Sequence, residues 1–411
     1  MTSEPTYTKT HPWLTFRLDL RRASHELWMS LGEAESKCEH IAGVPLQPAT
    51  VQYLHQVYLA KGALATTAIE GNTLTEAEVM QHLDGTLQLP PSKDYLAQEV
   101  DNIVDICNDI LKRITSGESG DLTPHAIMDF DRSVLRDLAL PEGVVPGELR
   151  SYDVMVGNYH GAPPKDCHML LDRLCEWLNG PEFKPIHHHE IVFGLLKAVA
   201  AHVYLAWIHP FGDGNGRTAR LMEFQILVAA GVPSPAAHLL SNHYNQTRHE
   251  YYRQLRIAST SPHGILSFVE YAVRGFVDGL KEQLDIIRAQ QWSVAWRDYV
   301  HEALSEYPSD PDVRRRRRNL ALDLSLEVDP VPLSKMRAIS PRVAEAYATK
   351  TQRTLIRDVD ALVADSLLKK EGKGYVANRT LILAFLPARR TSETAQRTLP
   401  EPDTGPTPRS P

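Results

Sequence analysis

Apolar positions recur at helical spacing over most of the chain. Residues 13–115 carry long amphipathic stretches with few breakers, which predicts a helical N-terminal region. Within it, Thr75 followed three residues on by Glu78 has the form of a capping box and predicts a helix start. Thr123 before Pro124 predicts another, with Pro at the first helical position. Residues 145–164 break the pattern. Gly147-Glu148-Leu149-Arg150, Val154-Met155-Val156-Gly157 and Gly161-Ala162-Pro163-Pro164 combine glycine, proline and β-branched residues, which predicts a β-hairpin.

Helical spacing returns at 166–179 and 187–208, and the run Ile191 to Ile208 is apolar on most faces, as befits a central core helix. It stops at His209-Pro210. Further helices are predicted at 218–230, Thr247 to Ala258, and 264–303, the last as one or two helices. Residues 306–313 read as a linker around Tyr307-Pro308-Ser309-Asp310-Pro311. Three short helices follow, the last at about 351–364, then Lys373-Gly374-Tyr375-Val376 and an apolar strand from Thr380 to Leu386. The polar, Pro- and Thr-rich residues 388–411 predict a disordered tail. There is no internal repeat.

Charge adds one asymmetry. The formal net charge is -7, yet residues 312–390 hold 17 Lys and Arg against 9 Asp and Glu. A basic C-terminal module on an acidic body suggests an anionic partner for that module only. Four cysteines without a CxxC pair, Cys38, Cys107, Cys167 and Cys175, argue for buried thiols over disulfides or zinc. No apolar run is expected to reach the roughly 18–20 residues that cross a bilayer. The polar stretch Met1 to His11 lacks a signal core. The expectation is a cytoplasmic protein. His187-His188-His189 is a helix start and not a metal site, since adjacent helical residues do not share a face.

The chemistry concentrates in His209-Pro210-Phe211-Gly212-Asp213-Gly214-Asn215-Gly216-Arg217. A core helix ends there, and three glycines lead into a new helix. Such a loop can turn successive N–H groups inward as an anion nest, and the next helix adds its positive N-terminal end. Asp213 can hold a divalent cation beside phosphate. Arg217 and Arg220, placed in the first turn of the new helix, can clamp phosphate oxygens. Asn215 can bond both loop and phosphate. His209 at the mouth suits general-base work.

This stretch resembles the signature of the Fic (filamentation-induced-by-cAMP) family, HPFx(D/E)GNGRxxR, and matches it at every position through Arg220. The resemblance extends, more weakly, over about three quarters of the chain. It implies a mainly α-helical Fic-type bundle with a β-hairpin flap: an N-terminal helical region (1–120), a catalytic core (121–300), and a C-terminal winged helix-turn-helix-like domain (312–387). It implies a protein adenylyltransferase that moves AMP from ATP, with Mg²⁺, onto a Tyr, Thr or Ser hydroxyl. His209 would be the base and Asp213 the magnesium ligand. Gly214, Asn215 and Gly216 would form the anion hole. Arg217 would hold the phosphate chain and Arg220 the γ-phosphate. Gly216 matters for reaction type, because a branch of the family with Lys there phosphorylates instead.

The same resemblance gives a second reading to Thr66-Thr67-Ala68-Ile69-Glu70-Gly71. Alone, it is a helix end with a solvated Glu70 and a C′ glycine. It is similar, however, to the family's inhibitory motif (S/T)xxxE(G/N). Glu70 would then pair with Arg220 and block the γ-phosphate position. Residues 147–164 would be the flap that receives an extended target segment, lined by Val154 and Val156. Ser241, Asn245, Tyr251 and Tyr252 would help wall the adenine site. In the C-terminal module, Arg314 to Arg318 would open the first helix and Ser340-Pro341 the second. Gln352, Arg353, Thr354 and Arg357 would lie on a recognition-like helix, and Gly372 to Tyr375 would form a wing turn. The partners implied are a protein substrate, DNA or protein at 312–387, and a possible homodimer, with no membrane. Removal of AMP, transfer of another nucleotide, and a nucleotide-sensing DNA-binding regulator stay open as alternatives.

Overall fold

The computed structural model describes residues 5–261, 264–305 and 310–382, and the chain divides near residue 290 into two units. The first unit opens with α1 (Tyr7–Thr10), α2 (His25–Gly43), α3 (Pro48–Ala68), α4 (Glu76–Leu83), α5 (Asp94–Thr115) and α6 (Pro124–Val134). A small hairpin, β1 (Met155–Val156) and β2 (Tyr159–His160), follows with antiparallel pairing of Val156 to Tyr159. Then come α7 (Cys167–Leu178), α8 (Glu190–Ile208), α9 (Asn215–Ala229), α10 (Ser234–Ala237), α11 (Leu239–Gln246), α12 (Arg248–Thr260) and α13 (Gly264–Ala303).

Local chemistry sets the boundaries. Thr75 and Glu78 complete the capping box that starts α4, and Thr123 caps α6 through the Ala126 amide, with Pro124 at the first position. α8 is apolar all round because it runs through the middle of the unit, against α2, α7, α9 and α12. With 19 residues at a mean hydropathy of 1.8 it is long and apolar enough to cross a membrane, contrary to the expectation from sequence. Its apolar window is instead 83% buried inside the protein. His187 and His188 form a tight turn with positive φ just before α8, while His189 bonds Glu35 through Nδ1 at 2.6 Å. Among the described residues no three His, Cys, Asp or Glu side chains gather as a metal group, and all four cysteines are buried and free.

α13 is one helix of 40 residues. α9 begins at Asn215, three residues before the predicted start. Gly214 adopts φ 79° at the N-cap, which finishes the turn early. Arg217 therefore lies in the first turn of α9, but Arg220 lies in the second, a correction to the expectation that both share the first.

The second unit holds α14 (Pro311–Leu324), α15 (Pro341–Tyr347) and α16 (Gln352–Ala364), then the hairpin β3 (Leu368–Glu371) and β4 (Gly374–Ala377). Trp296 and Val300 from the end of α13 join Leu320, Met336, Val343, Tyr347, Leu355, Val359 and Leu368 in its core. Val331 bridges to Tyr375 beside the hairpin. Gly372, with φ 57°, makes the turn between the strands. The apolar strand predicted from Thr380 is instead a 3₁₀ turn over Arg379–Ile382, and its remainder to Leu386 lies outside the described residues. So do the tail at 388–411 and the linker residues 306–309. Arg314 to Arg318 do not form one solvated face. Arg316 and Arg317 are buried on the carboxylate of Asp358, at 2.7 and 3.0 Å, and Tyr347 adds its hydroxyl at 3.1 Å.

Candidate active site

α8 ends on His209, whose backbone is left-handed at φ 50°, ψ 58°. That conformation is costly for a residue with a Cβ, so surrounding contacts must hold it. The His209 amide still donates to Leu205 at 2.8 Å, and its carbonyl accepts from Arg150 Nε at 2.7 Å. Burial pushes the imidazole down to about 4, with the Ala206 backbone bond pulling back up and the Arg150 charge adding to the fall. The ring is therefore neutral across the physiological range, the form a general base needs.

The loop closes on itself. The Asn215 side chain accepts from the Phe211 amide at 3.0 Å and donates to the Phe211 carbonyl at 2.9 Å. The first helical bond of α9 is Thr218 N–H to Gly214 at 2.9 Å. The donors of the first turn, at Asn215, Gly216 and Arg217, thus have no intrahelical acceptor. Asp213 Oδ1 accepts from the Gly214 amide at 2.6 Å and from Arg217 Nη2 at 3.2 Å. Gly214 has a second constraint besides its φ. A Cβ there would fall 2.6 Å from Oδ1 of the buried Asp131.

Both arginines are held by acids from elsewhere in the chain. Arg220 Nη2 donates to Glu70 Oε1 at 2.7 Å and to the Thr66 carbonyl at 2.8 Å. Burial works to raise the Glu70 pKa, but the charge and hydrogen bond of Arg220 outweigh it and hold the carboxyl below its usual range. Glu70 also fills the space over Gly216: a Cβ on Gly216 would lie 2.1 Å from Oε1. Arg217 Nη1 meets Glu99 Oε1 of α5 at 3.4 Å. Burial raises the Glu99 pKa, against a bond from Asn72 Nδ2 at 2.9 Å. Asn72 stands two residues after Glu70 and also donates to the Leu96 carbonyl at 2.9 Å.

Three guanidinium donors, Arg217 Nε and Arg220 Nε and Nη1, are buried with no partner among the described residues. An unmet buried donor costs on the order of 1–3 kcal/mol, and charged donors gain most from an anion. The first turn of α9 thus brings N–H groups without intrahelical acceptors beside the Arg220 guanidinium, and the Glu70 carboxylate lies against both Gly216 and Arg220.

The hairpin roots against this loop. Arg150 N–H bonds Pro210 at 3.0 Å and Ala162 N–H bonds Ile208 at 3.1 Å. Val154 is half-buried, whereas Val156 is exposed at 47% and Met155 at 62%. Tyr252, expected at the adenine site, is 44% exposed and points its hydroxyl to the Ile69 carbonyl at 3.4 Å. Arg248 Nη2 donates to the same carbonyl at 2.6 Å, so the two residues grip the segment that carries Glu70. Ser241 is buried and Asn245 half-buried. Tyr251 is buried and bonds His202 at 2.9 Å. Reasoning from sequence missed Glu99, Asn72, Asp131 and Arg248, and took Arg150 only as a lead-in to the hairpin. Each has a key partner distant in the chain, which leaves no local spacing to read.

Comparison with known proteins fits this geometry. A Fic/DOC family model matches residues 121–227. The protein adenylyltransferase fic-1 of Caenorhabditis elegans is 29% identical over 209 residues, covering 51% of this chain and 38% of the worm protein. The protein adenylyltransferase Fic of Nematostella vectensis is 31% identical over 213 residues, covering 51% of this chain and 45% of its own length. The chain thus spans less than half of each of these curated relatives. A crystal structure of a Fic family protein from Desulfovibrio desulfuricans shares the fold at a TM-score of 0.50 and 18% identity, covering 86% of this chain and 96% of that one. The glycine-rich loop, the hairpin rooted on it, α8 and all but the last two residues of α9 fall within the matched span, and residues 121–227 are a Fic/DOC family domain.

Proposed function

We propose that the protein transfers AMP from ATP to a hydroxyl of a target protein, and that Glu70 restrains the transfer. The observation that carries this reading is the position of the Glu70 carboxylate, bonded to Arg220 and packed over Gly216 at the N-terminal turn of α9. The triphosphate would lie on the first turn of α9, with Arg217 on the phosphate chain and Arg220 on the γ-phosphate. Neutral His209 would take the proton from the incoming Tyr, Thr or Ser hydroxyl. That oxygen would attack the α-phosphorus in line, and pyrophosphate would leave. The names of the relatives support the same reaction class.

Asp213 suits Mg²⁺. Its side chain is 43% exposed, and no group of three potential ligands surrounds it among the described residues. That donor set fits a hard cation held by one carboxylate together with phosphate oxygens. The cation would neutralise charge on the phosphates. Glu70 opposes productive binding in two ways: it engages the γ-phosphate clamp and places negative charge where that phosphate would sit.

The test uses α-labelled ATP with cell lysate and three forms of the chain. Glu70→Gly is expected to label protein at least tenfold faster than wild type, and Glu70→Gly/His209→Ala to label none. Equal labelling by wild type and Glu70→Gly would overturn the restraint. Labelling that persists without His209 would overturn its role as base.

A further inference from the structure

Arg150 is 5% exposed and stands between the hairpin and the catalytic loop. Its Nε donates to the His209 carbonyl at 2.7 Å, and its Nη1 to the Tyr152 carbonyl at 2.6 Å. Its Nη2 donates to the Ala162 carbonyl and, at 3.4 Å, to the Ile208 carbonyl. Two of these acceptors belong to the root of the hairpin, one on each side of it. The other two are the last residue of α8 and the candidate base. The Arg150 and Ala162 amides bond Pro210 and Ile208, so main chain and side chain tie the same two segments. We infer that Arg150 is a positioning residue that holds the His209 backbone and the target-binding hairpin in one register. The inference rests on the adenylyl-transfer reading for its functional consequence, and on geometry alone for the tie itself.

The physical need is plain. A target hydroxyl presented along the hairpin must reach the imidazole within hydrogen-bond distance. A displacement of about 1 Å in such an arrangement costs roughly a hundredfold in rate. His209 holds a left-handed backbone that its side chain does not favour, and its carbonyl is anchored by Arg150. A rigid five-donor fork can serve all four carbonyls at once; an ammonium has three donors and is a point charge on a flexible stem. Gly161 belongs to the same arrangement. A Cβ there would lie 2.9 Å from Arg150 Nη2 and 3.1 Å from the His209 Cβ. The base, the fork and the hairpin root are packed without room for a methyl group.

The test places Arg150→Met, Arg150→Lys and Gly161→Ala in the full-length Glu70→Gly chain. The acceptor is whichever lysate protein that parent labels. Two readouts are taken: initial labelling rate against ATP Kd from calorimetry, and hydrogen exchange at the Ala162 and Arg150 amides against exchange in α8. Arg150→Met is expected to label at least tenfold more slowly while ATP Kd stays within threefold. The Ala162 amide is expected to exchange at least tenfold faster, with α8 unchanged. Arg150→Lys should fall between. A labelling rate within threefold of the parent, or unchanged exchange at Ala162, would overturn the inference. Where Arg150→Met does not fold, Arg150→Lys and Gly161→Ala decide by the same two criteria. A parent that labels nothing rejects adenylyl transfer, and hydrogen exchange alone then judges the tie.

Discussion

Asp131 is fully buried beneath the turn at Gly214. Its Oδ2 accepts from the Gly147 amide at 2.9 Å, while its Oδ1 has no partner among the described residues. Burial pushes the carboxyl up to about 7, against smaller pulls downward from the Gly147 bond and the Arg217 charge. In the unfolded chain the same group titrates near its ordinary 3.8. Between about pH 4 and 7 the folded state therefore binds one more proton than the unfolded state. Stability attributable to Asp131 falls by about 1.4 kcal/mol per pH unit as pH rises through that window, and is flat above it. Asp131→Asn keeps an acceptor for Gly147 and removes the titration. Melting temperatures at pH 5 and pH 7 check this. The wild type should lose more on going from 5 to 7 than Asp131→Asn does, and equal losses would mean that Asp131 is not held protonated.

At the scale of elements, what could be read from sequence was what local spacing encodes. The all-round apolar run gave α8, Thr75 with Glu78 gave α4, and Thr123 with Pro124 gave α6. The glycine-rich loop from His209 to Arg217 was equally legible, because its parts are contiguous. Arg150 and Glu99 were not, since their partners His209 and Arg217 lie 59 and 118 residues away. The partners of the arginine run, which opens α14 as expected, were hidden for a related reason. Five consecutive arginines look like a solvated stripe, but the helix turns Arg316 and Arg317 inward onto Asp358 of α16, 42 and 41 residues on. That carboxylate is wholly buried, and its partners are nearly so. Removing one member of such a group leaves uncompensated buried charge, a loss of about 3–5 kcal/mol. Asp358→Ala should therefore lower hydrogen-exchange protection across α14 and α16 while leaving α8 protected. Unchanged protection in α14 would show that the arginines find other partners.

Across the first unit as a whole, the candidate site is assembled from parts that meet only in the fold. Glu70 in the turn just after α3 and Arg220 in α9 are 150 residues apart, and Glu99 comes from α5 between them. The two acids hold the two arginines that the nucleotide would need. They are not independent, because Asn72 bonds Glu99 from within the turn that follows Glu70. Loss of Glu70 should therefore loosen the Asn72 turn and weaken the hold of Glu99 on Arg217. A ligand that binds only the folded state raises its stability in proportion to the logarithm of ligand over Kd, so melting temperature reports how far each arginine is free. With Mg²⁺ and saturating ATP, wild type should shift least, Glu99→Gln more, and Glu70→Gly by several degrees. Glu70→Gly/Glu99→Gln should shift most, yet by less than the two single gains combined, since residues sharing one hydrogen-bond network do not act additively. Were Glu99→Gln to leave the ATP shift unchanged in both backgrounds, Glu99 would be a scaffold for Asn72 and not a second restraint on Arg217.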